Sequence, residues 1–427
     1  MIDISQTLAS IKMRQPNPII WEKSFGRMHY RNNILPAGDL LYFGTSGDKW
    51  NFSDPNDAIL CVRQSDGEVV WRVQTDSDVN GIAIFDSVLV AGTDSGMIYA
   101  LNIADGRILS RFQAGSPVYT KAVIVDVEGE RIAVLLSRDG HIICFNLADN
   151  SFRHTGSLPG TFRTNIVTNP ELAETGSVLA ANEAGTIFQI GVGTFGSTDM
   201  ERFTIPVTDS SGPYHFKLRL QGIGSLLFHE NLLIVTYARE TYDERPPILA
   251  LDWRTWKVAW NGHPRKTVSK KKRFYFGNCR IHPVISNGEV LATFAYSDSL
   301  YAFSITTGRC AWSVRVDNDL FQNWASPVLM NRRTLAVPRA NGVIAFVDLQ
   351  TRRVIRSISL ETPSNGQAVD ELDYSESLWP DPGSSEMPFE GPGPGQILTS
   401  GLASTPVYSG GQIIVGTISG KLVALKP

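Results

Sequence analysis

The sequence predicts an all-β fold in which one short, four-stranded sheet is repeated along the chain. Three observations predict it: a strand–turn rhythm that recurs at intervals of about 40 to 60 residues, a Trp register in one strand of the repeat, and a Pro-Val mark in another. The clearest copy runs from Asp86 to Phe112. Val88 to Ala91 is an apolar run, and Thr93-Asp94-Ser95-Gly96 is a tight polar turn. Met97 to Ile103 is a second β-rich run, Asp105-Gly106 supplies the positive-φ chemistry of a hairpin, and Arg107 to Phe112 is a third run.

In chain order the third-strand core of the repeat reads Ile59–Val62, Ile98–Leu101, Ile142–Phe145, Ile187–Ile190, Ile248–Leu251, Leu300–Phe303, Val343–Phe346 and Leu422–Leu425, which is eight copies. Nine residues after the core, the fourth strand carries Trp71, Trp260 and Trp312, with Ser110, His154 and Ile355 filling the slot in weaker copies. The first strand is marked by a small or polar residue, Pro and Val: Ser116-Pro117-Val118, His282-Pro283-Val284, Ser326-Pro327-Val328 and Thr405-Pro406-Val407. Proline is tolerated at a strand start because its missing N–H is not needed there.

The eighth copy ends at Pro427 without a fourth strand, and Asn17 to Lys23 matches the missing piece with Trp21 in the Trp slot. A ring of sheets needs such a closure to avoid an open edge. The expected architecture is therefore an eight-bladed β-propeller of four-stranded antiparallel blades, the last blade closed by the N-terminal strand. Seven blades is the alternative, because the fourth copy is weak. Residues 1–16 are read as an N-terminal arm and 17–427 as a single propeller domain.

The copies Gly96-Met97-Ile98-Tyr99-Ala100-Leu101 with Asp105-Gly106, Ser299–Phe303 with Thr307-Gly308 and Trp312, and above all Gly416–Leu425, resemble the PQQ-like repeat of quinoprotein-type propellers. The resemblance covers nearly the whole chain from Ile19. It speaks for the fold and says little of activity, because the motif residues are structural. Dehydrogenases of this type carry pyrroloquinoline quinone over a calcium or lanthanide ion, often beneath two adjacent cysteines. Here Cys61, Cys144, Cys279 and Cys310 are far apart, and the seven histidines show no ligand spacing. Asp94, Asp105 and Asp139 are read as turn residues. No catalytic or metal residue and no cofactor is expected, and the chain is read as non-enzymatic. It is similar in that respect to the propeller lipoprotein of outer-membrane assembly, although no lipobox cysteine or signal segment is seen.

Composition agrees with a globular chain: 42% apolar residues, 37 Gly and 23 Pro in 427 residues. The net charge of −3 does not suggest a surface coated by nucleic acid. The N-terminus lacks a basic segment followed by an apolar one, and no window of about 18 apolar residues occurs. With widely spaced cysteines, this leads to the expectation of a cytoplasmic protein with no membrane contact.

Recognition in repeat proteins is carried by insertions. With strands named A to D from hub to rim, residues 45–57 and 239–247 lengthen B–C loops, while 208–219, 261–276 and 361–399 lengthen D–A connections. In an up-and-down blade both loop types emerge on one face of the disc; the C–D loop at 191–200 is the exception. That face is chemically uneven. Lys270, Lys271, Lys272 and Arg273 form a basic run beside aromatics, while 361–399 is acidic and rich in Pro and Gly, with Tyr374, Trp379 and Phe389 spaced along it. The expected partner-binding residues are Trp50, Phe52, Tyr242, Arg245, Lys270, Lys271, Lys272, Arg273, Trp324, Tyr374, Trp379 and Phe389. The leading reading is a protein-interaction scaffold within a larger assembly. Its alternatives are a quinone- or metal-dependent oxidoreductase with degenerate markers, and a sensor of a ligand or of nucleic acid.

Overall fold

The computed structural model describes residues 18–29, 31–47, 53–193, 198–204, 221–238, 248–262, 281–294, 297–316, 323, 325–360, 401–402 and 404–427. Their strands form antiparallel sheets in simple up-and-down order. Blade 1 is Ile34–Ala37, Leu40–Thr45, Ala58–Arg63 and Val69–Gln74, strands A to D. Blades 2 and 3 occupy 79–113 and 123–157, blades 5, 6 and 7 occupy 221–261, 284–315 and 328–359. In the last sheet, Val407–Ser409, Gln412–Gly416 and Lys421–Leu425 are joined on their outer side by Ile19–Ser24, antiparallel to Lys421–Leu425.

The expectation of eight four-stranded blades is corrected. Seven sheets have four strands, and the fourth in chain order has three: Ser177–Ala181, Thr186–Val192 and Thr198–Thr204. Its first strand is reduced to one bridge, Val167 to Leu179. The cause is local. Asn169 caps a helical turn, its Oδ1 accepting from Leu172 N at 2.8 Å, and Pro170 opens the turn where its missing N–H does no harm. A chain committed to that turn cannot continue as a strand.

The core lies between the sheets as a series of apolar clusters, each shared by neighbours. One joins Trp21, Leu422 and Ile414 to Leu41, Phe43 and Leu60; the next joins Cys61 and Trp71 to Leu89, Ala91 and Leu101. The Trp register explains how they interlock. Trp21, Trp71, Trp260 and Trp312 stand opposite Ala424, Cys61, Ala250 and Ala302, small residues that leave room for an indole. A bulge residue precedes each Trp, so Ile20 and Val70 are turned outward and are 45% and 47% exposed. The indole then lies on the C–D turn of the next blade. A Cβ on Gly67 would meet Trp21 at 2.8 Å, one on Gly106 would meet Trp71 at 2.8 Å, and one on Gly308 would meet Trp260 at 2.5 Å. These glycines also hold φ of 71°, 72° and 66°, so the position needs Gly twice over. Each indole N–H donates to the next blade: to Gln64 O at 2.9 Å, Ile103 O at 2.9 Å and Ile305 O at 2.6 Å. Where the next turn carries Arg352 instead of Gly, Trp312 donates to the Glu289 carboxylate at 2.9 Å and lies 5.8 Å from the guanidinium.

Two register expectations change. His154 pairs with Ile143, because the bulge of blade 3 falls two residues earlier than in blade 2. Ile355 falls in the bulge of blade 7 and is 59% exposed, while Ser357 stands opposite Ala345. In blade 3 the first strand is Val123–Val127, so Lys121-Ala122-Val123 matches His282-Pro283-Val284, and Ser116-Pro117-Val118 lies upstream of the strand.

Candidate functional site: the D–A and B–C loop face

All twelve residues named from the sequence as partner-binding fall outside the described residues. The base on which one of their loops stands is described. Up-and-down order puts Arg31, before blade 1, and Asp78, between blades 1 and 2, on the same face as the B–C segments holding Asp57 and Asp94. These four residues form a buried polar cluster beneath that face.

Asp57 closes the long B–C loop of blade 1. Its Oδ1 accepts from Gly47 N at 2.6 Å and its Oδ2 from Asp54 N at 2.8 Å. Asp57 N donates to Asp54 O at 3.0 Å, and Thr45 Oγ1 to Asn56 O at 2.6 Å. Both ends of the loop that carries Trp50 and Phe52 are thereby clamped. Gly47 is required for this, since a Cβ there would meet Asp54 Cβ at 2.2 Å. Asp78 Oδ1 also accepts from Gly47 N, at 3.2 Å. Its Oδ2 is buried without a donor, and a carboxylic acid resolves this by donating to Asp57. Burial first, then the Asp94 and Asp57 charges, push Asp78 up to about 9, so the pair shares one proton at neutrality. Burial also raises Asp57.

The third acid is answered differently. Asp94 Oδ1 accepts from Asn80 Nδ2 at 2.7 Å and Oδ2 faces Arg31 Nη2 at 3.4 Å, with both side chains almost fully buried. Arg31 stacks over Tyr119 at 4.1 Å. Next to it, His29 is held well below its ordinary value by burial and then by the Arg31 charge, and so is neutral. Asp94, expected to be a turn residue, is thus an ionic tie between blade 2 and the segment before blade 1. Asp105 behaves as the turn residue expected, accepting from Arg107 N at 3.0 Å. The missed signal was the Asn-Asn pair at 32–33 with Arg31, three polar residues at a strand start.

This acidic group does not suit a divalent cation. Asp94 is neutralised by Arg31, Asp57 is occupied by backbone donors, and Asp78 holds a proton. No three His, Cys, Asp or Glu residues among the described ones are placed to hold a metal ion. What the arrangement does is hold together the two described ends of the loop, Thr45 to Gly47 and Asp54 to Asp57.

The axis has its own polar order. Asn33 Oδ1 accepts from Ile82 N at 2.8 Å, Asn165 Oδ1 from Lys121 N at 3.0 Å, Ser326 Oγ from His282 N at 2.9 Å and Thr405 Oγ1 from Ser326 N at 3.2 Å. These residues occupy one ring position at the start of each first strand, and each bond ties one blade to the next. The Pro-Val mark in the sequence is the shadow of this ring.

Among solved structures the chain is similar to BamB from Moraxella catarrhalis, with 14% identity, a TM-score of 0.61 and coverage of 95% of this chain and 98% of that one. It is also similar to the computationally designed Ika8 protein, at 13% identity and a TM-score of 0.61 over 96% and 100% of the two chains. A Europium-containing methanol dehydrogenase aligns at 10% identity and a TM-score of 0.57 over 94% of this chain and 86% of that chain. At these identities the likeness is one of fold. No curated protein matches the chain in sequence. The family described as "Outer membrane protein assembly factor BamB" matches residues 55–194 and 214–378, more than half of the chain, and the protein belongs to that family.

Proposed function

We propose that the protein is a non-catalytic interaction subunit of a larger assembly, working in the cytoplasm and binding protein partners through the D–A and B–C loop face. The observation that carries this is the clamped base of the 45–57 loop: two buried acids, Asp57 and Asp78, accept the backbone N–H groups of Gly47 and Asp54 at its two ends. Binding residues are placed on loops that a rigid scaffold positions, and preorganising such a loop reduces the entropy lost on association. The family's description as an assembly factor supports the same reading. Affinity capture from the native cell tests it. A Trp50→Ala chain lacking Asp370–Phe389 is expected to lose a partner that the intact chain retains. Equal recovery of that partner, or capture of none, contradicts the reading.

A further inference from the structure

The ring position at the start of the first strands carries Asn33, Asn165, Ser326 and Thr405, and at two further places its residue can carry positive charge. Lys121 stands there in blade 3 and His282 in blade 6. Both are half-buried and stand at the start of first strands, the inner edge of each blade, which places them at the hub rather than on the outer rim. Their backbones are fixed by the ring itself, Lys121 N on Asn165 and His282 N on Ser326. Gly81, at the same position in blade 2, makes room for the lysine stem, since a Cβ there would meet Lys121 Cγ at 2.4 Å.

The Lys121 ammonium has no hydrogen bond or ion pair among the described residues, and no carboxylate acts on it. Buried ammonium groups are ordinarily paired, because an uncompensated one is costly. Here the neighbouring titratable group is His282, which feels the lysine charge as a repulsion. The cost shows in both groups. Burial pushes Lys121 down to about 8, and burial followed by the Lys121 charge pushes His282 down to about 4. Near neutrality the lysine therefore stays mostly protonated, beside a neutral imidazole that can donate one N–H. A cation, a neutral donor and amide and hydroxyl groups around a narrow axis form a receptor for one kind of ligand.

We propose that the hub of the propeller binds a small oxyanion, a phosphate or carboxylate group, between Lys121 and His282. The ligand supplies the missing counter-charge, and charge-assisted hydrogen bonds from the two side chains orient it. The site lies on the axis at the D–A ends of the first strands, apart from the clamped base of the 45–57 loop.

Isothermal titration of the full chain with inorganic phosphate, and separately with acetate, tests the proposal at pH 7. One saturable site is expected for at least one of the two anions. Binding should weaken about tenfold or more in Lys121→Met and by a smaller factor in His282→Gln. It should also fade above pH 9 as the ammonium is lost. In the wild-type chain, carbon-13 methylation of lysines should show the Lys121 signal titrating upward in pH when the anion is added. This readout stands even if a variant fails to fold. No saturable binding of either anion overturns the proposal. So does binding that survives in Lys121→Met with an unmoved Lys121 signal, which would mark an adventitious ion only.

Discussion

Two of the regions in which this propeller buries charge do so in opposite ways. Beneath the loop face, Asp57, Asp78 and Asp94 are answered one by one: backbone donors for the first, a proton for the second, Arg31 and Asn80 for the third. At the hub, the Lys121 ammonium has no hydrogen bond or ion pair among the described residues, and its charge acts on His282 as a repulsion. A buried charge that is fully answered is scaffold, because its groups have no capacity left for a ligand. A charge held rigidly without an answer is a receptor. The first region fixes the ends of the loop to which we assign docking, and the second is where we propose that a small ligand is taken.

The contrast can be broken at its strongest point. Arg31→Met leaves Asp94 buried without its counter-ion, and we expect a loss of about 3–5 kcal/mol in urea unfolding. Adding Asp94→Asn should return most of it, since both charges are then gone. If Arg31→Met unfolds like the wild type, the acidic cluster is not the scaffold described here.

The opposite sign is expected at the hub. Lys121→Met removes a charge that has no counter-ion among the described residues, and stability at pH 7 should rise by about 1–3 kcal/mol. The folded value of about 8 lies below the ordinary 10.5. The folded state is therefore penalised when pH is below 8, and the penalty fades as pH rises from 8 to 10.5. The variant and wild-type curves should converge over that window.

Asp78→Asn keeps the shape of the protonated acid. The folded value near 9 stands above the ordinary 3.8. The wild type thus has its full stability below pH 3.8 and loses it progressively as pH rises to 9. The variant should match the wild type in acid and exceed it by about 1 kcal/mol or more near pH 9. Convergence in alkali instead of acid would reverse the assignment of the shared proton.

The smallest effect is expected for His282→Gln. Neutral His282 contributes above pH 6.5 and is lost as pH falls towards 4. Thermal unfolding should therefore show a shallower acid limb in the variant, with about the same stability at pH 7.

Much of the fold was legible in the sequence because its devices are local. Strand, Gly turn and strand recur as a pattern of side chains, and the Trp slot, the turn glycines and the Pro-Val mark follow one another at short range. Bulge positions were not legible. They decide whether His154 or Ile355 faces inward, and they depend on pairing partners rather than on residue type. The short first strand of the fourth sheet was hidden for a similar reason, since one Asn-Pro step diverts it.

The charged clusters were harder to see. Asp94 looks like any Asp in a Ser-Gly turn until Arg31, 63 residues earlier, is brought against it. Lys121 stands in the same ring slot as His282, yet Ser116-Pro117-Val118 copied the mark five residues upstream and concealed it. Neither cluster has a sequence spacing to announce it. The ring assembles both.

The central claim is that this face of the disc docks protein. Cross-linking mass spectrometry on the complex captured from the native cell tests it most directly. The account predicts that cross-links to the partner concentrate on the D–A and B–C segments around blades 1 and 2, beside Asp54 to Asp57 and Asp76 to Asp78. Cross-links spread over the outer D strands or the A–B and C–D turns would contradict it.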